Sequence, residues 1–150
     1  MKNVFDRAVA NELIQRINSL NSESRPQWGK MTVGQAMAHC NVTYELVYDN
    51  SHTKPNGMVR FMLKLFVKAG VVNAKAYQKN IRTAPYFLVK EDKDFQKEQK
   101  RLIDYIDRTQ ELGEGYFDGK ESHSFGALSF QEWNNMFYKH IDHHLNQFGV

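Results

Sequence analysis

Residues 133–150 read WNNMFYKHIDHHLNQFGV, with the spacing of an amphipathic α-helix. Successive residues of an α-helix are about 100° apart around its axis, so Trp133 and Phe137 fall on one side. His140 and His144 lie in the middle of that apolar side. Side chains at positions i and i+4 are neighbours on a helix surface, so both imidazoles can face one point. Buried imidazoles need polar partners, and one metal ion would serve both.

Working outward, three more long segments show helical periodicity, over residues 5–20, 32–48 and 92–112. Capping boxes are expected at Thr32 with Gln35 and at Ser129 with Glu132. A shorter amphipathic helix is predicted over residues 58–69, followed by an ordered loop over residues 71–89. Gly113 and Gly115 are expected to end the third long helix. We expect Glu98, Lys97, Lys100 and Asp104 of that helix, and Gln131, Asn135, Lys139, Asp142 and Asn146 of the last one, to face water.

These segments predict an all-α fold: a four-helix bundle with a short helix and a loop inserted between the second and third long helices. With 150 residues, 41% hydrophobic and 25% charged, the chain is predicted to form one helical domain over residues 1–150. The single cysteine, Cys40, allows no internal disulfide, which favours a reducing compartment, the cytoplasm.

Charge is uneven although the net charge is only +3. Residues 54–90 hold eight basic side chains, Arg82 among them, and no acidic one. This segment is either a solvated insertion or a surface that attracts an anionic ligand. We find no nucleic-acid motif and no run apolar enough to span a bilayer, so neither partner is expected. A membrane-surface role for residues 58–69 is disfavoured because the stretch is short and lacks Trp.

A metal site would need a third ligand besides His140 and His144. The candidates are His39, His52, His123, His143 and Cys40. His39 is the first choice because it lies in a capped helix among apolar residues. The alternative for His39 is a hydrogen-bonded core histidine, and for Cys40 a small buried hydrophobic residue. A zincin protease is disfavoured because no Glu follows His140.

The pattern His140-x-x-x-His144, followed by Gln147, resembles the C-terminal signature of DinB-like proteins, usually His-x-x-x-His-Arg-Gly-Gln. Leu145 and Asn146 stand where Arg and Gly are usual. His39, after Trp28-Gly29-Lys30-Met31-Thr32, falls where the family's first histidine lies. With Thr83-Ala84-Pro85, these blocks make the chain similar to an uncharacterised subfamily of that superfamily.

The resemblance implies a four-helix bundle, often dimeric, with a divalent metal held by His39, His140 and His144. Zinc is the first choice, with nickel, iron or manganese as alternatives. It also implies a small-molecule substrate, possibly a low-molecular-weight thiol of the bacillithiol or glutathione type, and transferase or hydrolase activity. No catalytic residue is assigned. Gln147 could orient a ligand or a histidine, and His143 could carry a proton. The alternative is a non-catalytic metal- or ligand-binding bundle or interaction module.

Overall fold

The computed structural model describes residues 1–49, 51–81 and 83–150. These residues form six α-helices, one 3-10 helix and one two-stranded antiparallel sheet. The helices are α1 (Arg7–Asn18), α2 (Val33–Tyr48), α3 (Gly57–Phe66), α4 (Lys68–Val72), α5 (Phe95–Phe117) and α6 (Phe130–Gln147), and the 3-10 helix is Pro85–Phe87. The strands are β1 (Glu121–Ser122) and β2 (Gly126–Ala127), which the sequence analysis did not predict. The mostly helical structure agrees with the predicted all-α class.

Both predicted capping boxes are present and fix where α2 and α6 begin. The Gln35 amide donates to Thr32 Oγ1, and the Thr32 amide donates to Gln35 Oε1. Ser129 and Glu132 make the same reciprocal pair of bonds. Each box satisfies backbone N–H groups that the first helical turn leaves free. A fixed start sets the angular position of every later side chain on the helix, including the histidines.

The four longer helices, α1, α2, α5 and α6, pack against one another around an apolar core. Leu13, Met37 and Leu102 are almost fully buried there. Tyr44 of α2 stacks on Phe137 of α6, with ring centroids 5.0 Å apart. Burying one such large apolar side chain contributes about 1.5–3 kcal/mol. This packing holds α2 and α6 side by side, one turn away from the candidate site.

The inserted segment contains two helices where the sequence analysis predicted one. The chain departs from regular helix at Val67 (φ −111°), which separates α3 from α4. None of the residues of α3 is buried, whereas Val72 at the end of α4 is. The predicted loop that follows contains the 3-10 helix. No helix in the described part of the chain is long and apolar enough to cross a membrane.

The prediction that Asn135 and Lys139 face water was wrong. Both side chains are buried because α4 packs on that side of α6. The Asn135 side chain donates to the Val72 carbonyl, and Lys139 Nζ donates to the carbonyls of Gly70 (3.0 Å) and Asn73 (2.8 Å). These carbonyls end a helix and need donors from elsewhere. Burial lowers the pKa of Lys139 to about 8.

The prediction that Glu98 faces water was also wrong, since this side chain is only 7% exposed. Its carboxylate accepts hydrogen bonds from Asn41 Nδ2 (2.9 Å) and Arg101 Nη1 (2.7 Å). A buried carboxylate is tolerated only when paired in this way. The carboxylate of Glu98, which helix periodicity predicted to face solvent, therefore links α5 to α2.

The predicted end of the third long helix is only partly right. The helix is interrupted at Gly113, whose positive φ of 69° favours glycine, but it resumes and continues to Phe117. The extra turn places Phe117 in the core, where it packs against Trp133 and Phe137 of α6. That burial outweighs the helix-breaking tendency of two nearby glycines.

Candidate metal centre

Three histidines converge between α2 and α6. His39 comes from α2, and His140 and His144 come from successive turns of α6. Each offers one ring nitrogen, and the three atoms lie within 4.8 Å of one another. The Nε2 atoms of His39 and His140 are 2.9 Å apart. The structure therefore brings together the three residues singled out from the sequence. Their role as metal ligands stays a prediction.

The orientation of His144 is set by a hydrogen-bonded chain through Gln147. Gln147 Nε2 donates to the Trp28 carbonyl (2.7 Å), which can only accept. The other end of this amide, Oε1, therefore faces His144 Nδ1 at 2.8 Å and must accept from it. His144 thus carries its proton on Nδ1, which leaves the lone pair of Nε2 available to the centre.

His39 is oriented by a backbone carbonyl. Its Nδ1 lies 2.8 Å from the carbonyl oxygen of Phe87, in the 3-10 helix. A carbonyl only accepts, so Nδ1 carries the proton of the neutral ring. The lone pair of His39 Nε2 consequently points towards His140. In histidine ligands of metals, the N–H of the second ring nitrogen commonly donates a hydrogen bond to a protein oxygen in this way.

His140 has a partner that can either donate or accept, the hydroxyl of Thr43. Thr43 Oγ1 lies 2.7 Å from His140 Nδ1. Without an ion, His140 Nε2–H can donate to His39 Nε2 while the hydroxyl donates to Nδ1. With an ion, the ring proton would sit on Nδ1 and the hydroxyl would accept it. The same three contacts therefore suit both forms of the site.

Burial keeps the three rings neutral at neutral pH. It lowers the pKa of His39, lowers that of His140 well below the usual value and lowers that of His144 to about 3. The proximity of the rings adds to this effect, since protonating one would place a charge beside the next. Neutral imidazole is the form that binds a metal ion. Metal binding therefore needs no net loss of a proton from these rings, only a move of the His140 proton from Nε2 to Nδ1.

Aromatic side chains from the segment after α4 cover the triad. Phe87 lies 5.3 Å from His39 and 5.6 Å from His140, centroid to centroid, and Tyr77 lies 6.4 Å from His140. His39 and His144 are buried, and His140 is half-buried. These rings restrict water and large solutes from reaching the three nitrogens.

His143 lies beside the triad without joining it. Its ring is 5.1 Å from that of His144, but it packs against Trp28 (5.9 Å) and Tyr77 (5.8 Å). Together with Lys79, these three side chains line an open surface pocket. The structure thus places His143 at the rim of the triad, and its role as a proton carrier stays a prediction.

The other candidate ligands lie elsewhere. His52 Nε2 is bound to Glu45 Oε2 at 2.8 Å, and His123 is buried in the turn between β1 and β2. Cys40 is buried, and its pKa is raised by that burial, as suits an unreactive core thiol. Of the predicted basic segment, Arg82 lies outside the described residues.

Thr43 and Phe87 were not identified from the sequence. Thr43 lies one turn after His39 on α2, so i, i+4 spacing could have suggested it. The Phe87 contact uses a backbone carbonyl, which no side-chain pattern shows. Its position depends on Pro85, which begins the 3-10 helix directly after the Thr83-Ala84 block.

Comparison with known proteins gives a family and no activity. Residues 5–149 match the model of a family described as protein of unknown function (DUF1569). No curated protein and no solved structure gives a significant match. Because the match spans nearly the whole chain, this protein belongs to the DUF1569 family.

Proposed function

We propose that this protein is a metal-dependent enzyme in which His39, His140 and His144 bind one divalent transition-metal ion. The observation that supports the proposal most strongly is the convergence of three neutral ring nitrogens. The opposite nitrogen of each ring is held by Phe87, Thr43 or Gln147. Imidazole ligands suit zinc, our first choice, and also nickel, iron or manganese.

The number of ligands favours catalysis over a purely structural ion. Structural zinc sites are closed by four protein ligands, whereas catalytic sites keep three and leave one position open. Within the described residues, the group that could hold an ion contains these three histidines and no carboxylate or cysteine. The fourth position would therefore go to a water molecule or a substrate atom.

The resemblance to DinB-like proteins gives the proposed chemistry. We propose a single DinB-like domain in which α1, α2, α5 and α6 form a four-helix bundle, assembled as a homodimer. The reaction would be transfer or hydrolysis that uses a low-molecular-weight thiol. A bound divalent ion lowers the pKa of a thiol or water at its open position. In this scheme Gln147 keeps His144 oriented, and His143 exchanges protons at the rim.

A second candidate is a non-catalytic metal-binding module. It is favoured by the cover over the triad, since His39 and His144 are only 5% and 7% exposed. The neighbouring pocket includes Tyr77 and His143 but none of the three ligand histidines. In that case an ion would stabilise the fold, and its loss would lower stability without changing any turnover.

Thiol transfer by the metal-loaded protein separates the two candidates. The zinc- and nickel-loaded proteins are incubated with glutathione and 1-chloro-2,4-dinitrobenzene, and thioether formation is followed by absorbance. We expect turnover in the parent and in His52→Ala, and none in His140→Ala. Metal-loaded protein that neither forms thioether nor hydrolyses 4-nitrophenyl acetate faster than the free ion would overturn the enzyme proposal and favour the binding module.

A further inference from the structure

The helix α3 turns its apolar face to the outside. Met58, Phe61, Met62 and Leu65 follow the i, i+3, i+4, i+7 spacing of one helix face. They are 80%, 63%, 49% and 59% exposed, and the adjoining Phe66 is 70% exposed. Single exposed apolar residues are ordinary, but a continuous face of this kind marks an interaction site.

The orientation of α3 is set by its polar face and by α4. Arg60 pairs with Glu121 at 3.0 Å and Lys68 with Glu132 at 2.8 Å, so these two basic side chains hold the segment against the protein body. Each such pair contributes little alone. The buried Val72 and the Lys139 contacts hold α4 beneath it. The apolar face is therefore held outward.

The charge distribution indicates what covers this face. Residues 54–90 carry eight basic side chains and no acidic one, while the rest of the chain has twelve basic and seventeen acidic residues. The segment is therefore +8 and the remainder −5. Two copies meeting through α3 would bring like charges together, whereas an anionic surface would complement them.

We propose that α3 binds the surface of anionic lipid bilayers, with its apolar face at the acyl boundary and exposed lysines of residues 54–90, such as Lys54 and Lys75, at the headgroups. Exposed apolar helix faces with basic side chains nearby bind anionic membranes through both features. The sequence analysis disfavoured this role because the stretch is short and lacks Trp. The structure favours this role because the apolar face of α3 is exposed and does not pack into the core.

Vesicle sedimentation tests the proposal. The full chain is mixed with vesicles of 30% phosphatidylglycerol in phosphatidylcholine, or of phosphatidylcholine alone, in 0.1 M salt. We expect binding to the anionic vesicles to be at least tenfold tighter and to weaken in 0.5 M salt. Phe61→Ser with Leu65→Ser should abolish it, and Tyr116→Ser, an exposed aromatic on α5, should leave it unchanged. Thermal unfolding of each variant checks that the fold is kept.

A matched pair of variants tests how much the basic charge contributes to vesicle binding. Lys75→Glu, in the basic segment, should weaken vesicle binding several-fold more than Lys97→Glu on α5. Failure of the parent to bind anionic vesicles would overturn the proposal. So would a solution dimer, measured by light scattering, that Phe61→Ser dissociates while vesicles are not bound, because a second copy would then be the occupant.

Discussion

Two polar clusters flank α2, and they are completed in opposite ways. Between α2 and α5, Arg101 binds the carboxylates of Glu45 (2.6 Å) and Glu98 (2.7 Å), and Asn41 donates to Glu98. One guanidinium thus holds two carboxylates together, although Asn41 Oδ1 has no hydrogen-bond partner among the described residues. We call this set, with His52 bound to Glu45, the α2–α5 cluster.

Between α2 and α6, the three imidazoles face one another instead. Their Nδ1 atoms lie against protein oxygens, while three other ring nitrogens of the neutral imidazoles converge within 4.8 Å of one another. In the α2–α5 cluster, by contrast, both carboxylates are bound by the protein's own cation. In the triad, the N–H of His140 can donate to the lone pair of His39, and a divalent ion could instead bind all three converging nitrogens. The comparison suggests that converging neutral nitrogens, more than polarity as such, distinguish a candidate metal site from a structural ion-pair cluster.

The largest expected effect comes from removing a ligand. His140→Ala should weaken zinc binding by more than about 100-fold, beyond the range typical of outer hydrogen-bond partners. Competition with a chromogenic chelator measures this. His52→Ala removes a histidine from the α2–α5 cluster and should keep parental affinity. Equal losses in both variants would contradict the distinction between the clusters.

Removing an outer partner should have a smaller effect. Thr43→Val keeps the shape of the side chain but deletes the hydroxyl at His140 Nδ1, and we expect zinc affinity to fall about 10–100-fold. Thr43→Ser restores the hydroxyl and should recover most of the affinity in the same titration. Unchanged binding by the valine variant would show that this contact does not orient the ring.

Breaking the α2–α5 cluster should affect stability and leave metal binding unchanged. Arg101→Met leaves two carboxylates without their cation, and we expect the free energy of unfolding to fall by about 1–2 kcal/mol. Urea unfolding with and without zinc measures it. Lys100→Met, which breaks an exposed pair with Asp104, should cost only about 0.3–0.5 kcal/mol. A change in zinc affinity in Arg101→Met would mean that the clusters are coupled.

The smallest expected effect is a pH dependence. Histidines in the unfolded chain titrate near pH 6.5. Burial lowers the pKa of His144 to about 3 in the folded protein, so between these values the unfolded state binds more protons. Metal-free stability should therefore be full above pH 6.5 and fall as the pH decreases. When the pH is lowered from above 6.5 to 5.5, the free energy of unfolding measured with urea should fall by about 1 kcal/mol less in His144→Ala than in the parent. Parallel pH profiles would refute the burial effect.

The parts of the site that lie on one helix could be predicted from the sequence. Helical spacing placed His140 and His144 on one face, and the capping boxes located the starts of α2 and α6. His39 needed more than periodicity, because five residues were open as a third ligand. Its place in a capped helix among apolar residues made it the first choice, and the resemblance of its flanking residues to the DinB-like pattern pointed to the same residue.

The features that could not be predicted depend on contacts between segments that are distant in the sequence. Lys139 and Glu98 looked solvent-facing because helical periodicity treats each helix alone, and α4 and α2 then cover them. Phe87 reaches His39 through a carbonyl set by the local 3-10 helix. The apolar face of α3 is the reverse case, since periodicity predicted an amphipathic helix there but could not show that none of its residues is buried.

The most direct test of the central claim is the metal content of the untagged protein. The parent and His144→Ala are equilibrated with zinc, desalted and measured by inductively coupled plasma mass spectrometry. We predict about one equivalent of zinc in the parent and none in the variant. A parent that retains no zinc, nickel, iron or manganese would contradict the account and leave the triad as a hydrogen-bonded cluster of core histidines.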